Sequence, residues 1–98
     1  MPVHVVALTT LNPNAERALE TYLGVVGPLM ESAGATVVSR YQFAESVAGA
    51  NEFQFLTLVE YPDEASWRRV FDSDEYKSLE DVKALAFANY QVNTTFAI

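Results

Sequence analysis

The run Glu60-Tyr61-Pro62-Asp63-Glu64-Ala65-Ser66-Trp67-Arg68-Arg69-Val70-Phe71-Asp72-Ser73-Asp74-Glu75-Tyr76 restricts this chain to few folds. It reads as the end of a strand, a Pro-Asp turn into a short amphipathic helix, and a second helical start at Ser73. Trp67, Val70 and Phe71 share one helical face, while Glu64 and Arg68 form an i,i+4 pair on the other. Asp63 and Ser73 have the residue types and positions of N-caps, so a nucleophilic role for Ser73 has no support.

The flanking segments complete a pattern. Val3 to Thr10 is β-branched and apolar without a helical period, which predicts a strand ending at Leu11-Asn12-Pro13. Asn12 suits an N-cap and Pro13 a first helical turn. Ala15, Ala18, Leu19, Tyr22, Leu23, Val26, Met30 and Ala33 then recur every three or four residues up to Gly34, which predicts one amphipathic helix. Pro28 lies inside it, and the residue four back is Gly24, so a local bend is expected rather than a break. Thr36 to Phe43 and Glu52 to Tyr61 read as a hairpin across Ala48-Gly49-Ala50-Asn51. After Ser73, the residues Tyr76, Leu79, Val82, Ala86 and Phe87 form an inner helical stripe, and Gln91 to Ile98 alternates as a last strand.

The order β-α-β-β-α-β is the split βαβ, or ferredoxin-like, arrangement: an α+β fold with two helices on one face of a four-stranded antiparallel sheet. Residues 1–98 are expected to form one such domain. Both faces of the strands are apolar. Val3, Val5 and Ala7 alternate with Val6 and Leu8, and Phe53, Phe55 and Val59 alternate with Leu56 and Leu58. Helices cover only one face, and each large apolar side chain left in water forfeits about 1.5–3 kcal/mol of burial. A homodimer, sheet against sheet, is the expected partner arrangement.

Charge and composition narrow the ligands. A net charge of −7, with only Arg68 and Arg69 adjacent among six basic residues, disfavours nucleic acid and anionic membrane surfaces. No apolar run approaches the roughly 20 residues of a membrane span, and Met1-Pro2-Val3-His4 lacks the basic start of a signal peptide. Without cysteine there is no disulfide framework and no thiolate metal site, so a cytoplasmic location is the default expectation. No cofactor and no metal are expected: the sole histidine lies on the first strand, the carboxylates are scattered, and no glycine-rich phosphate loop exists.

Tyr22, Val26, Pro28, Leu29 and Gly34 on the first helix, Arg40, Glu60-Tyr61-Pro62, Ser73 with Tyr76, and Lys83 together resemble a family of dimeric α/β-barrel proteins catalogued as domain of unknown function 1330. The resemblance runs over nearly the whole chain. It departs at Ala33-Gly34-Ala35, where that family has a His before two glycines, and at Tyr41-Gln42, where it has glycines. It implies a homodimer of unassigned activity with a pocket between helices and sheet or within the barrel.

Five residues are candidates for chemistry. His4 is the one histidine, a residue type whose unperturbed pKa near 6.5 suits acid–base work, against a structural or rim role. Glu60, at a strand end beside Tyr61, is either a desolvated base or an ion-pair partner of Arg40 or Lys83. Arg40, Tyr41 and Lys83 are candidates to hold a substrate: Arg40 through its carboxylate-matching fork, Lys83 from the edge of the apolar stripe, where snorkelling is the alternative. Trp67 reads as core. Pro2, if exposed by removal of Met1, would place a secondary amine at a strand start, as in tautomerases. Two functions remain open: a protein that binds or transforms a small anionic or aromatic molecule, as a cofactor-free isomerase, cyclase or monooxygenase-like enzyme, and a dimeric binding module without chemistry.

Overall fold

The strand β1 (Val3–Leu11) lies between two neighbours, with Val5 to Thr9 paired on both edges, and its alternation sets the two faces of the molecule. In this computed structural model, which describes every residue from Met1 to Ile98, β1 is followed by α1 (Glu16–Ser32), β2 (Thr36–Gln42), β3 (Phe55–Tyr61), α2 (Glu64–Phe71), α3 (Asp74–Lys77), α4 (Glu80–Ala86) and β4 (Phe87–Thr94). The four strands are antiparallel in the order β2-β3-β1-β4, the ferredoxin-like topology expected of the sequence. The molecule is 35 × 33 × 17 Å, and the short dimension is that of one sheet and one helical layer.

Toward the helices point Val5, Ala7, Thr9 and Leu11 of β1 and Phe55, Thr57, Val59 and Tyr61 of β3. The core is in two parts. Tyr22, Val26, Tyr76, Leu79, Ala86 and Phe87 pack where α1, α3 and α4 meet β4. Val5, Ala33, Val59, Tyr61 and Val70 pack where α2 and the end of α1 meet β1 and β3. The opposite face carries Val6 and Leu8, paired with Leu58 and Leu56, and no helix covers it.

Helix termini follow local chemistry. Asp63 caps α2, its Oδ1 accepting from the Ser66 N–H and from Ser66 Oγ, both at 2.8 Å. Ser73 caps α3, its Oγ accepting from the Tyr76 N–H at 3.1 Å. At the end of α1, the Ala35 N–H donates to the Met30 carbonyl and the Gly34 N–H to that of Glu31, both at 3.0 Å. This is a Schellman closure, and Gly34 takes its left-handed residue with φ 77°. A Cβ on Gly34 would stand 3.1 Å from Pro62 Cγ, so the closing glycine also lets the β3–α2 turn approach the helix.

Several boundaries differ from the sequence expectation. Asn12 does not cap α1. Its Nδ2 donates to the carbonyls of Ala84 and Leu85 at 3.0 and 3.1 Å, satisfying the end of α4, and α1 begins three residues later than an Asn12 cap implies, after Asn14 with φ 58°. Pro28 leaves α1 unbroken, because the carbonyl it deprives belongs to exposed Gly24. β3 starts at Phe55 rather than Glu52: the Phe53 N–H is taken locally by Asn51 Oδ1, and the Glu52 carbonyl accepts from the Thr10 hydroxyl. The last helical stretch breaks at Ser78-Leu79 into α3 and α4, and β4 runs from Phe87 to Thr94 instead of Gln91 to Ile98. Phe87 is therefore a strand residue, facing Leu11 across the sheet. Trp67 is half-buried, with Arg68 stacked on its ring at 4.6 Å, while Val70 and Ser66 occupy the buried side of α2.

Replacing Gly34 by alanine is expected to cost about 1–2 kcal/mol in chemical denaturation, from the left-handed backbone and the Pro62 contact together. The two Ser66 hydrogen bonds, side chain first, hold the exposed Asp63 carboxylate below its usual range. A folded-state pKa below the unfolded one gives stability that is complete above the ordinary Asp range and lost as pH falls through the folded value. Below about pH 4, the wild type should therefore lose stability more steeply than Asp63→Asn in acid melts.

Candidate functional site

A cavity of about 290 Å³ lies between the sheet and α1, bordered by both parts of the core. Its existence traces to side-chain size. On the two central strands the helix-facing positions Ala7, Thr9 and Thr57 are small, so the helical layer, held off by Tyr22, Val26, Met30 and Phe71, does not meet the sheet there. Of its 19 lining residues 16 are hydrophobic, and Arg40 alone is charged. The volume is close to the lower bound of ligand pockets, about 300 Å³.

Arg40 reaches this cavity through an irregularity in β2. Val37 pairs with Val59 but Ser39 pairs with Leu58, so Val38 is the extra residue of a bulge. Strict alternation from Val37 would turn Arg40 to the uncovered face. The bulge returns it to the helix side, opposite Thr57. Arg40 is exposed on the edge strand, and none of the ion pairs in the molecule involves it.

The other candidates lie elsewhere. His4 and Glu60 are directly opposite each other in the β1–β3 register, with Nε2 and Oε1 3.6 Å apart and side chains 45% and 41% exposed. They alternate with Val5 and Val59, so they stand on the uncovered face. Glu60 thus pairs with His4, not with Arg40 or Lys83, and the histidine has the carboxylate neighbour that the sequence did not reveal. Tyr41 is on the same face, opposite Leu56, at the other end of the sheet and 60% exposed. The five residues fall into three places, and only Arg40 lines the cavity.

Lys83 belongs to the third place. Its Nζ is 3.0 Å from Glu80 Oε1, 3.5 Å from Tyr76 Oη, and 4.7 and 4.9 Å from the ring centroids of Tyr76 and Tyr90. Around it three phenols are joined through Tyr90: Tyr22 Oη is 2.7 Å and Tyr76 Oη 2.6 Å from Tyr90 Oη. Burial pushes the Tyr22 and Tyr90 phenols far above the usual tyrosine range, so both are protonated at neutral pH. Tyr61 lines the cavity at 1% exposure, and burial pushes its phenol up to about 12. Its hydroxyl makes no hydrogen bond to another side chain or to the backbone, in contrast to the other three.

The sequence reading assigned Tyr22 and Tyr76 to apolar stripes and passed over Tyr90. The available signal was the use of tyrosine where phenylalanine would fill the same space, because a buried phenol requires a polar partner. No group of three His, Asp or Glu side chains converges as a metal site, and no helix is long and apolar enough to cross a membrane.

Among solved structures, a protein of unknown function from Rhodopseudomonas palustris matches with a TM-score of 0.82 at 20% identity, over 99% of this chain and 82% of that one. A dimeric ferredoxin-like protein of unknown function from Thermobifida fusca gives 0.56 at 16% identity, over 100% and 92%. SnoaB, a cofactor-independent oxygenase from Streptomyces nogalater, gives 0.61 at 11% identity, over 99% and 93%. No curated protein matches this chain. At these identities the neighbours establish the fold. Residues 4–94 match the model of a family described as Domain of unknown function (DUF1330), and the chain belongs to that family.

Proposed function

We propose that the protein is a homodimer whose protomers each bind a small, largely apolar anion in the cavity between sheet and helices. The observation that carries this reading is the pairing of an apolar cavity with one cation at its edge, Arg40, which has no ion-pair partner in the fold. A guanidinium fork accepts a carboxylate bidentately, and the aliphatic and aromatic walls accept the rest of the molecule. An aromatic or branched carboxylate has both features.

Dimerisation through the uncovered face rests on Val6, Leu8, Leu56 and Leu58, which form a central apolar patch flanked by the more exposed Tyr41 and Val38. The Thermobifida fusca neighbour is described as dimeric, and the sheet-to-sheet arrangement gives this patch a matching surface. In that arrangement His4 and Glu60 are the acid–base pair available to a molecule held between the sheets, and Arg40 is the binding residue of the cavity. SnoaB carries out oxygenation without a cofactor on this fold. An oxygenase reading of the present chain draws on that likeness and on the cavity's apolar walls, which suit an aromatic substrate.

Leu58→Asp is expected to convert the dimer to monomers in sedimentation velocity at micromolar concentration, since a carboxylate at the centre of a sheet–sheet interface is left without a partner. A wild type already monomeric under those conditions refutes the assembly. Calorimetry with naphthoate should show binding by the wild type, about tenfold weaker binding by Arg40→Met, and none by Ala7→Leu, which fills the cavity floor. Undiminished naphthoate affinity in Ala7→Leu would refute the cavity as the site.

A further inference from the structure

Taking the cavity of the proposed function as the binding site, we infer that Thr57 is its specificity residue. It reads an oxygen on the carbon next to the carboxylate, which makes the ligand a 2-hydroxy or 2-oxo acid with an apolar body.

The polarity of the cavity wall is gathered in one corner. The lining residues that are not hydrophobic are Thr9, Arg40 and Thr57, and the register sets Arg40 and Thr57 side by side. Arg40 pairs with Thr57, Thr57 with Ala7, and Ala7 with Val92, so these residues form one row across all four strands on the helix side. Read inward from the edge strand, the row runs from a cation to a hydroxyl to a methyl to an isopropyl group. On one side the next row presents Val37, Val59 and Val5, and on the other Phe55 stands beside Thr57. Thr9, which faces Phe55, is only diagonal to Thr57, about 7–8 Å away, and lies one strand farther from Arg40.

The Thr57 hydroxyl is available to a ligand. It makes no hydrogen bond within the protein, yet no buried side-chain oxygen lacks a partner, so this oxygen is open to space. On a central strand beneath the helices, that space is the cavity. Valine has the same shape without the hydroxyl, and the same wall uses it at Val5, Val37, Val59 and Val92. Side chains directly opposite on neighbouring strands stand about 5 Å apart at Cβ. A carboxylate held by the Arg40 fork over this row therefore places the substituent of its adjoining carbon over Thr57. A hydroxyl both donates and accepts, so Thr57 serves an alcohol or a ketone there. Ala7, next in the row, carries only a methyl and leaves room for the apolar body.

The probes are 3-phenylpropanoate and the better-binding enantiomer of 3-phenyllactate, which differ by one hydroxyl at C2. In calorimetry the wild type is expected to prefer phenyllactate by about tenfold, the effect of one added hydrogen bond. Thr57→Val, which keeps the shape, should bring the ratio to about one while changing 3-phenylpropanoate affinity by no more than about twofold. Thr57→Ser and Thr9→Val should both retain the preference. Equal affinities in the wild type, a preference that survives Thr57→Val, or one that Thr57→Ser or Thr9→Val abolishes overturns the assignment of Thr57. Binding of 3-phenylpropanoate in any of those cases leaves the cavity reading standing. If the wild type binds neither acid, the cavity reading fails and the role of Thr57 with it.

Discussion

The pleat of β1 is the constraint on which the rest depends. A strand with neighbours on both edges cannot twist its side chains away from their assigned faces, and a slip of one residue would exchange the faces entirely. Val5, Ala7 and Thr9 are thereby committed to the helices, and His4, Val6 and Leu8 to the uncovered side. The two sets differ in kind. The helix-facing set shrinks toward the middle of the strand, and the uncovered set is bulky there. One alternation thus makes a hollow on one side of the sheet and a raised apolar surface on the other.

Polar groups are distributed to suit that division. Inside, the helical layer admits phenols, which bond to one another and carry no charge at neutral pH, so desolvation costs little. The charged groups stay at margins: Arg40 on the edge strand, Lys83 between Glu80 and the faces of two rings, His4 and Glu60 at one end of the open face. A cation over a phenol ring is held by the ring's quadrupole without needing to be buried. Lys83 can therefore influence the tyrosines while its ammonium keeps a carboxylate neighbour.

What the sequence disclosed was local. Asp63, Ser73 and Gly34 act within three or four residues of themselves, so their roles follow from residue type and spacing. The two-faced strands and the ferredoxin-like order were legible for the same reason. Asn12 was misassigned because its acceptors are more than seventy residues away, at Ala84 and Leu85. The His4–Glu60 pair depended on the β1–β3 register, and the orientation of Arg40 on the bulge at Val38; neither leaves a pattern in one strand's sequence. The tyrosine cluster gathers α1, α3 and β4, three elements whose stripes look apolar when read one at a time.

The strand order also dictates how the chain must assemble itself. Only β2 and β3 are neighbours in both sequence and sheet, so only they can pair as a hairpin at small cost in loop entropy. β1 is made first and bonds to β3 and β4, the latter at the far end of the chain. Its insertion closes the largest loops in the molecule and belongs late in folding, after the helices have local structure. Until then the apolar edge of β3 is open, and a nascent chain is exposed to strand exchange at the very position β1 will occupy.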